Sequence, residues 1–147
     1  MMTEADLIET RATLVSYGEE TLASMRGILI EAGKSATGEL IRSLRYTITY
    51  SGTDFDIEFE MADYGVFVDS GRRPGKQPPI SAIKPWLAIK GIPESAAFPI
   101  ARAIGERGIP ATPFFSVSIE KNEAALVQDL AIAYSQDVSN YLLKNLP

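Results

Sequence analysis

The side chains of this chain that could do chemistry are carboxylates and cations, because its 147 residues include no His and no Cys. That composition removes the Ser-His-Asp triad, the cysteine nucleophile, the disulfide, and any metal site built on imidazole or thiolate. The densest set of carboxylates is Asp54, Asp56, Glu58 and Glu60. Acids so close together could hold a hard cation or share general acid–base work. Their alternation argues against both, since it lays them along one strand face, whereas a calcium site gathers its oxygens from a tight loop. They read as a solvated strand face. The other carboxylates are scattered along helical segments, and no GxxxxGK[ST] or GxGxxG phosphate loop occurs. The chain is therefore expected not to be an enzyme, and to use no cofactor and no metal.

The cations are more informative. Residues 62–79 begin with an apolar-aromatic segment (Tyr64, Val66, Phe67, Val68) that runs into Gly71, then open into a Pro- and Gly-rich stretch carrying Arg72, Arg73 and Lys76. Backbone in so polar a loop needs water or a partner, so the segment is expected to be displayed at the surface. Two readings of its charges stand side by side. They keep an exposed loop soluble, or they form a local positive patch that meets phosphates or an acidic protein surface. Three charges without interleaved exposed aromatics are a weak nucleic-acid signal. Trp86, at helical spacing with Ile83 and Leu87, reads as core rather than as a stacking platform. Phe114 and Phe115 follow two prolines and read as a plug into the core or an anchor into a neighbouring subunit, with at least one of them in the core.

The elements that must position these residues follow from periodicity. Residues 3–33 predict a long helix, opened by Thr3 and Asp6 in the manner of a capping box, with Leu7, Leu14, Leu22, Met25 and Leu29 on one face and Gly33 as a left-handed stop. Gly18 and Gly27 each weaken it by about 1 kcal/mol relative to Ala. Ser35–Leu44 is a polar link or a single helical turn. Two amphipathic strands then alternate with a period of two, Tyr46, Ile48 and Tyr50 in the first and Phe55, Ile57, Phe59 and Met61 in the second. A two-residue Gly52-Thr53 turn of type II′ pairs Tyr50 with Phe55, Ile48 with Ile57, Tyr46 with Phe59 and Arg45 with Glu60. A slip of one residue would mix the two faces. Pro85 is expected to start a short helix closed by Gly91, and Pro99 a second one carrying Ile100 and Ile104 and stopped by Gly108. Residues 109–113 must be extended. A long helix over about 116–145 carries Leu126, Leu130, Tyr134, Val138 and Leu142, with Ser116 or Ser118 as its cap.

Together these predict one α+β domain over residues 1–147. A small antiparallel sheet, built on the hairpin of about 45–61, is packed by a long N-terminal helix, two short middle helices and a long C-terminal helix. The hydrophobic fraction of 46% and the charged fraction of 22% suit a soluble domain with a real core. The net charge of −5 repels nucleic acid everywhere except at a local patch. No run approaches the roughly 20 apolar residues of a membrane span, and the acidic, polar start at Met1–Asp6 is unlike a secretory leader. A soluble protein made inside the cell, with no membrane partner, is expected.

The order of parts resembles one family. Tyr64-Gly-Val-Phe-Val-Asp-Ser-Gly71 and its basic loop are followed by Ile83-Lys-Pro-Trp86-Leu with Lys90-Gly91-Ile92, by Phe98-Pro-Ile-Ala-Arg102-Ala-Ile104, and by Ala111-Thr-Pro-Phe114-Phe115 before the last helix. This is similar to the tail-completion and neck proteins of long-tailed bacteriophages, in order and spacing rather than through a catalytic signature. The resemblance implies an α+β fold and a ring of six or twelve copies between the head connector and the tail tube. Its partners are then itself, connector or adaptor proteins and tail-tube proteins. DNA passes through the channel without sequence-specific binding. The place is the virion tail or neck, assembled in the bacterial host cytoplasm. On this reading Val68, Asp69, Ser70, Gly71, Arg72, Arg73, Pro74, Gly75, Lys76 and Gln77 form an insertion loop towards a neighbour or the channel, with Phe114 and Phe115 as docking aromatics. A tail terminator or a head-side adaptor is the neighbouring alternative. A small nucleic-acid-binding regulator using residues 72–76 is the alternative of another class.

Overall fold

A computed structural model describes residues 1–33 and 38–147. The chain folds as α1 (Ile8–Glu31), α2 (Gly38–Ser43), β1 (Arg45–Tyr50), β2 (Phe55–Glu60), α3 (Gly65–Ser70), α4 (Ile80–Lys90), α5 (Ala97–Arg107) and α6 (Phe114–Asn145). Helices dominate around one antiparallel hairpin, an α+β architecture. The first part of the expected Ser35–Leu44 link lies outside the described residues, and α2 forms its second part.

The helix expected over residues 3–33 is interrupted near its start. Glu4–Asp6 is a 3-10 turn, in which the Asp6 carboxylate accepts from the backbone N–H and the hydroxyl of Thr3, both at 2.9 Å. Leu7 then leaves helical geometry at φ −98 and ψ 49, and α1 begins at Ile8. Its first free N–H groups are satisfied from far away. The buried carboxylate of Asp137, on α6, accepts from Glu9 N (2.9 Å), Thr10 N (2.8 Å) and the Thr10 hydroxyl (2.7 Å). A carboxylate here meets both the unpaired donors and the positive end of the helix dipole.

α6 receives the same treatment at its own N-terminus. Asp69, on α3, accepts from Phe115 N at 2.8 Å and Ser116 N at 3.1 Å. This corrects the expectation that Ser116 or Ser118 caps the helix. The helix starts earlier, at Phe114, and Ser118 is fully buried where α6 crosses α1. The two long helices run antiparallel, with the start of α1 beside Asp137 and Thr21 beside Asn122. Each therefore depends for its cap on an aspartate from another element.

The apolar face of α1 is the one the spacing marks: Leu14, Leu22, Met25 and Leu29 are buried, with Leu7 just before the helix. Leu22, Met25, Leu29, Leu40, Leu44 and Phe114 form one core, to which the hairpin adds Tyr46 and Phe59. Burying each such side chain contributes about 1.5–3 kcal/mol. The hairpin register is the expected one, Arg45 opposite Glu60 through Tyr50 opposite Phe55. Gly18 explains itself here, since a Cβ at that position would lie 2.6 Å from the Tyr46 ring. The hairpin reaches α1 across that gap, and Tyr17 meets Phe59 edge-on at 5.8 Å.

Two helical expectations are corrected by geometry. Pro85 lies inside α4, which starts at Ile80 after Pro79, rather than at its first position. The carbonyl of Ser81 loses its usual i+4 donor there, and both residues are exposed. On α6, Leu126, Leu130 and Val138 are half-buried while Tyr134 and Leu142 are exposed. A strict four-residue step advances 40° per step around a helix of 3.6 residues per turn. The buried line therefore takes a shorter, three-residue step from Leu130 to Ala133, which turns it back around the helix, and continues through Asp137. α4 and α5 enclose a second small core of Ile83, Leu87, Ala97 and Ala101.

Candidate functional site

The segment 62–79 is only in part the displayed loop that its composition predicts. Gly65–Ser70 is a helix, so Val68, Asp69 and Ser70 are structural: Val68 packs on the main core, Asp69 caps α6, and the Ser70 hydroxyl donates to Val66 O at 2.8 Å. Local propensity points the other way, since Val66, Phe67 and Val68 are strand formers. Packing overrides it. A Cβ on Gly65 would come within 2.6 Å of Met61 Sδ and 3.0 Å of Leu40, so the α3 backbone is drawn tightly onto the core.

Beyond Gly71 the chain is stitched to the segment after α5. Arg72 and Ile109 exchange both backbone hydrogen bonds at 2.8 Å as an isolated antiparallel bridge. Gly71, at φ 68, and Gly108, at φ 73, flank that bridge, and a Cβ on Gly108 would collide with Arg72 O. Gly75 N donates to Gly105 O at 2.7 Å, and Gly105 lets Gln77 backbone approach α5, with Gln77 Cα 2.9 Å from where a Cβ would stand. The loop is thus a fixed surface feature. Arg73, Pro74, Gly75, Lys76 and Gln77 are its exposed residues.

The Arg72 guanidinium lies 5.6 Å from the centre of the Phe67 ring and within 3.4–3.5 Å of Lys76 O, which orders it. Arg72 and Arg73 share a shallow depression of about 330 Å³ with Arg107, at the end of α5. Arg107 was not among the residues that the sequence marks, because it lies 34 positions beyond Arg73. A signal for it existed. Residues 64–113 hold seven basic and three acidic side chains, a net +4, in a chain of net charge −5. Among the described residues, Lys84 pairs with Glu94 at 2.7 Å and Arg102 with Glu106 at 3.1 Å, whereas Arg72, Arg73, Lys76, Lys90 and Arg107 have no carboxylate within ion-pair distance. Lys84 holds the Glu94 carboxyl below the usual glutamate range, chiefly by its hydrogen bond.

Next to the loop, α3 and α4–α5 leave an apolar cleft of about 220 Å³, bordered by Phe67, Ile83, Trp86, Ile104 and Ile109. Trp86 is half-buried there against the second core, and Lys90 Nζ sits 5.0 Å from its ring centre. Two of the three aromatic rings bordering the cleft, Phe67 and Trp86 but not Tyr64, thus carry one of the chain's own cations.

Both candidate docking aromatics pack on the main core, Phe114 within it and Phe115, half-buried, at its edge. Phe114 is 0% exposed in the main core, so it cannot anchor a neighbour. Phe115 packs on the same core, edge-on to Phe59 with ring centres 6.4 Å apart. On the hairpin, Asp56 and Glu58 point outward and Glu60 pairs with Arg45. Among the described residues no group of three or more carboxylates is placed to hold a metal ion. The arrangement at residues 72–76 and 107 can bind a negatively charged surface. No family model, curated protein or solved structure matches the chain.

Proposed function

We propose that the chain is a structural virion subunit that completes the tail end or neck of a long-tailed bacteriophage, joining tail to head as a ring between connector and tail tube. The observation that supports this reading most directly is the amount of assembly surface left open. The sheet has two strands only, so β1 and β2 each keep a free hydrogen-bonding edge among the described residues. An isolated pair of edges is a ready template for a neighbouring chain. On α6, Val127, Tyr134 and Leu142 are 65%, 53% and 56% exposed and recur on one side of the helix. Large apolar side chains lined up in this way favour a subunit contact. A tail terminator or head-side adaptor would use the same surfaces.

A second reading has its own observation, the grouping of Arg72, Arg73 and Arg107 around one depression, which suits a phosphate backbone. Electron microscopy of lysates from a virus lacking the gene separates these readings. The joining role predicts DNA-filled heads beside finished, unattached tails. Tails of uncontrolled length point to a terminator, and emptied heads to a head-side position. Intact infectious particles would exclude a structural role.

A further inference from the structure

We propose that the basic face formed by Arg73 and Arg107 docks onto the outer, acidic face of the hairpin in a second copy of this chain, making the head-to-tail contact of the ring. This deepens the ring reading and rests on it. A ring closed by rotation needs two different surfaces on each subunit, each complementary to the other. The chain carries such a pair. Residues 64–113 have a net charge of +4, and the remaining residues a net charge of −9. The three acids within the basic segment are all engaged, Asp69 by the start of α6, Glu94 by Lys84 and Glu106 by Arg102. They leave the loop cations uncompensated within their own subunit.

The opposite surface is similarly uncompensated. Glu60 is neutralised by Arg45, but Asp54, Asp56 and Glu58 have no cation within ion-pair distance among the described residues. Asp56 and Glu58 face outward from the same strand, two residues and therefore roughly 7 Å apart. They offer a short row of carboxylates beside Thr49 and Thr47 of β1, their cross-strand partners. Arg73 and Arg107 border one depression from two different segments, so a row of carboxylates can be met by both. The bridge between Arg72 and Ile109 fixes those two segments to each other, so little ordering entropy is lost on contact.

The test uses two charge-reversed proteins, R73E/R107E on the basic face and D56K/E58K on the hairpin, followed by sedimentation velocity at up to about 1 mM, where a contact with a Kd near that value is half-formed. All four positions are exposed, so both variants should keep the unfolding midpoint of the parent. The parent should self-associate at low salt and dissociate as salt rises. Each variant alone should associate about 100-fold more weakly, because like charges then face each other. An equimolar mixture of the two variants should recover assembly, since every contact in an alternating ring is again between opposite charges. Association that survives both reversals would overturn the docking while leaving the ring reading intact. A monomeric parent at every concentration and salt would overturn the docking, with the deletion phenotype then deciding the ring reading separately. If the parent is monomeric but binds a short duplex, and R73E/R107E does not, the patch belongs to nucleic acid instead.

Discussion

Asp137→Ala removes a carboxylate that α1 cannot replace. The side chain is 1% exposed and accepts three hydrogen bonds, from Glu9 N, Thr10 N and the Thr10 hydroxyl. An ordinary capping residue replaced by Ala costs about 1 kcal/mol when water can take over the donors. Here the donors of Thr10 are buried, and each orphaned buried donor costs about 1–3 kcal/mol. Partial relaxation and water entry at the Glu9 side reduce the sum, so the expected loss is about 3 kcal/mol. For a chain of this size that corresponds to a fall in Tm of roughly 10 °C. Thermal and urea unfolding followed by far-UV circular dichroism measure it. Asp137→Asn keeps the volume and one acceptor, and should lose about half as much. Asp129→Ala, an exposed acid on the same helix, should stay within about 0.5 kcal/mol of the parent. A double-mutant cycle with Thr10→Val should show coupling above about 0.5 kcal/mol. If Asp137→Ala behaves like Asp129→Ala, the distant cap carries no stability and the account of how α1 and α6 are joined is wrong.

Two further outcomes can be checked with the same protein. Gly18→Ala should destabilise by about 1–2 kcal/mol, because the new Cβ drives the Tyr46 ring off α1 and that cost exceeds the helix-propensity gain. Gly27→Ala, with nothing within 4 Å of its Cβ, should stabilise by up to about 1 kcal/mol, and equal signs for the two substitutions in urea titrations would contradict this. The Glu94 carboxyl should titrate below the usual glutamate range, because Lys84 favours its charged form. The sign follows: this contribution to stability is present above the unfolded-state value and is lost as pH falls through the lower folded one. Lys84→Met should return the carboxyl NMR titration of Glu94 to the ordinary range, and an unchanged midpoint would rule out the ion pair.

Much of the local structure could be read from the order of residue types. The hairpin register followed from a period of two around a Gly-containing turn, because any slip exchanges the two faces. The buried face of α1 followed from leucines and a methionine at helical spacing, and Gly91 and Gly108 end their helices at positive φ. These features depend on neighbours a few residues away. Tertiary structure decided what depends on distant partners. In the sequence Asp69 and Asp137 are two acids among nineteen, and they become caps only when α3 and α6 bring them to helix ends. α3 is helical against the preference of Val66 and Val68 because Gly65 must press onto Met61 and Leu40. Phe114 and Phe115 could have faced inward or outward on composition alone, and the packing of α6 on the hairpin turned both towards the core. Arg107 joins Arg72 and Arg73 because a two-residue bridge folds the end of α5 back on the loop. Charge and periodicity are written along the chain, but a cap, a close approach or a patch exists only where the fold brings separated segments within a few ångströms.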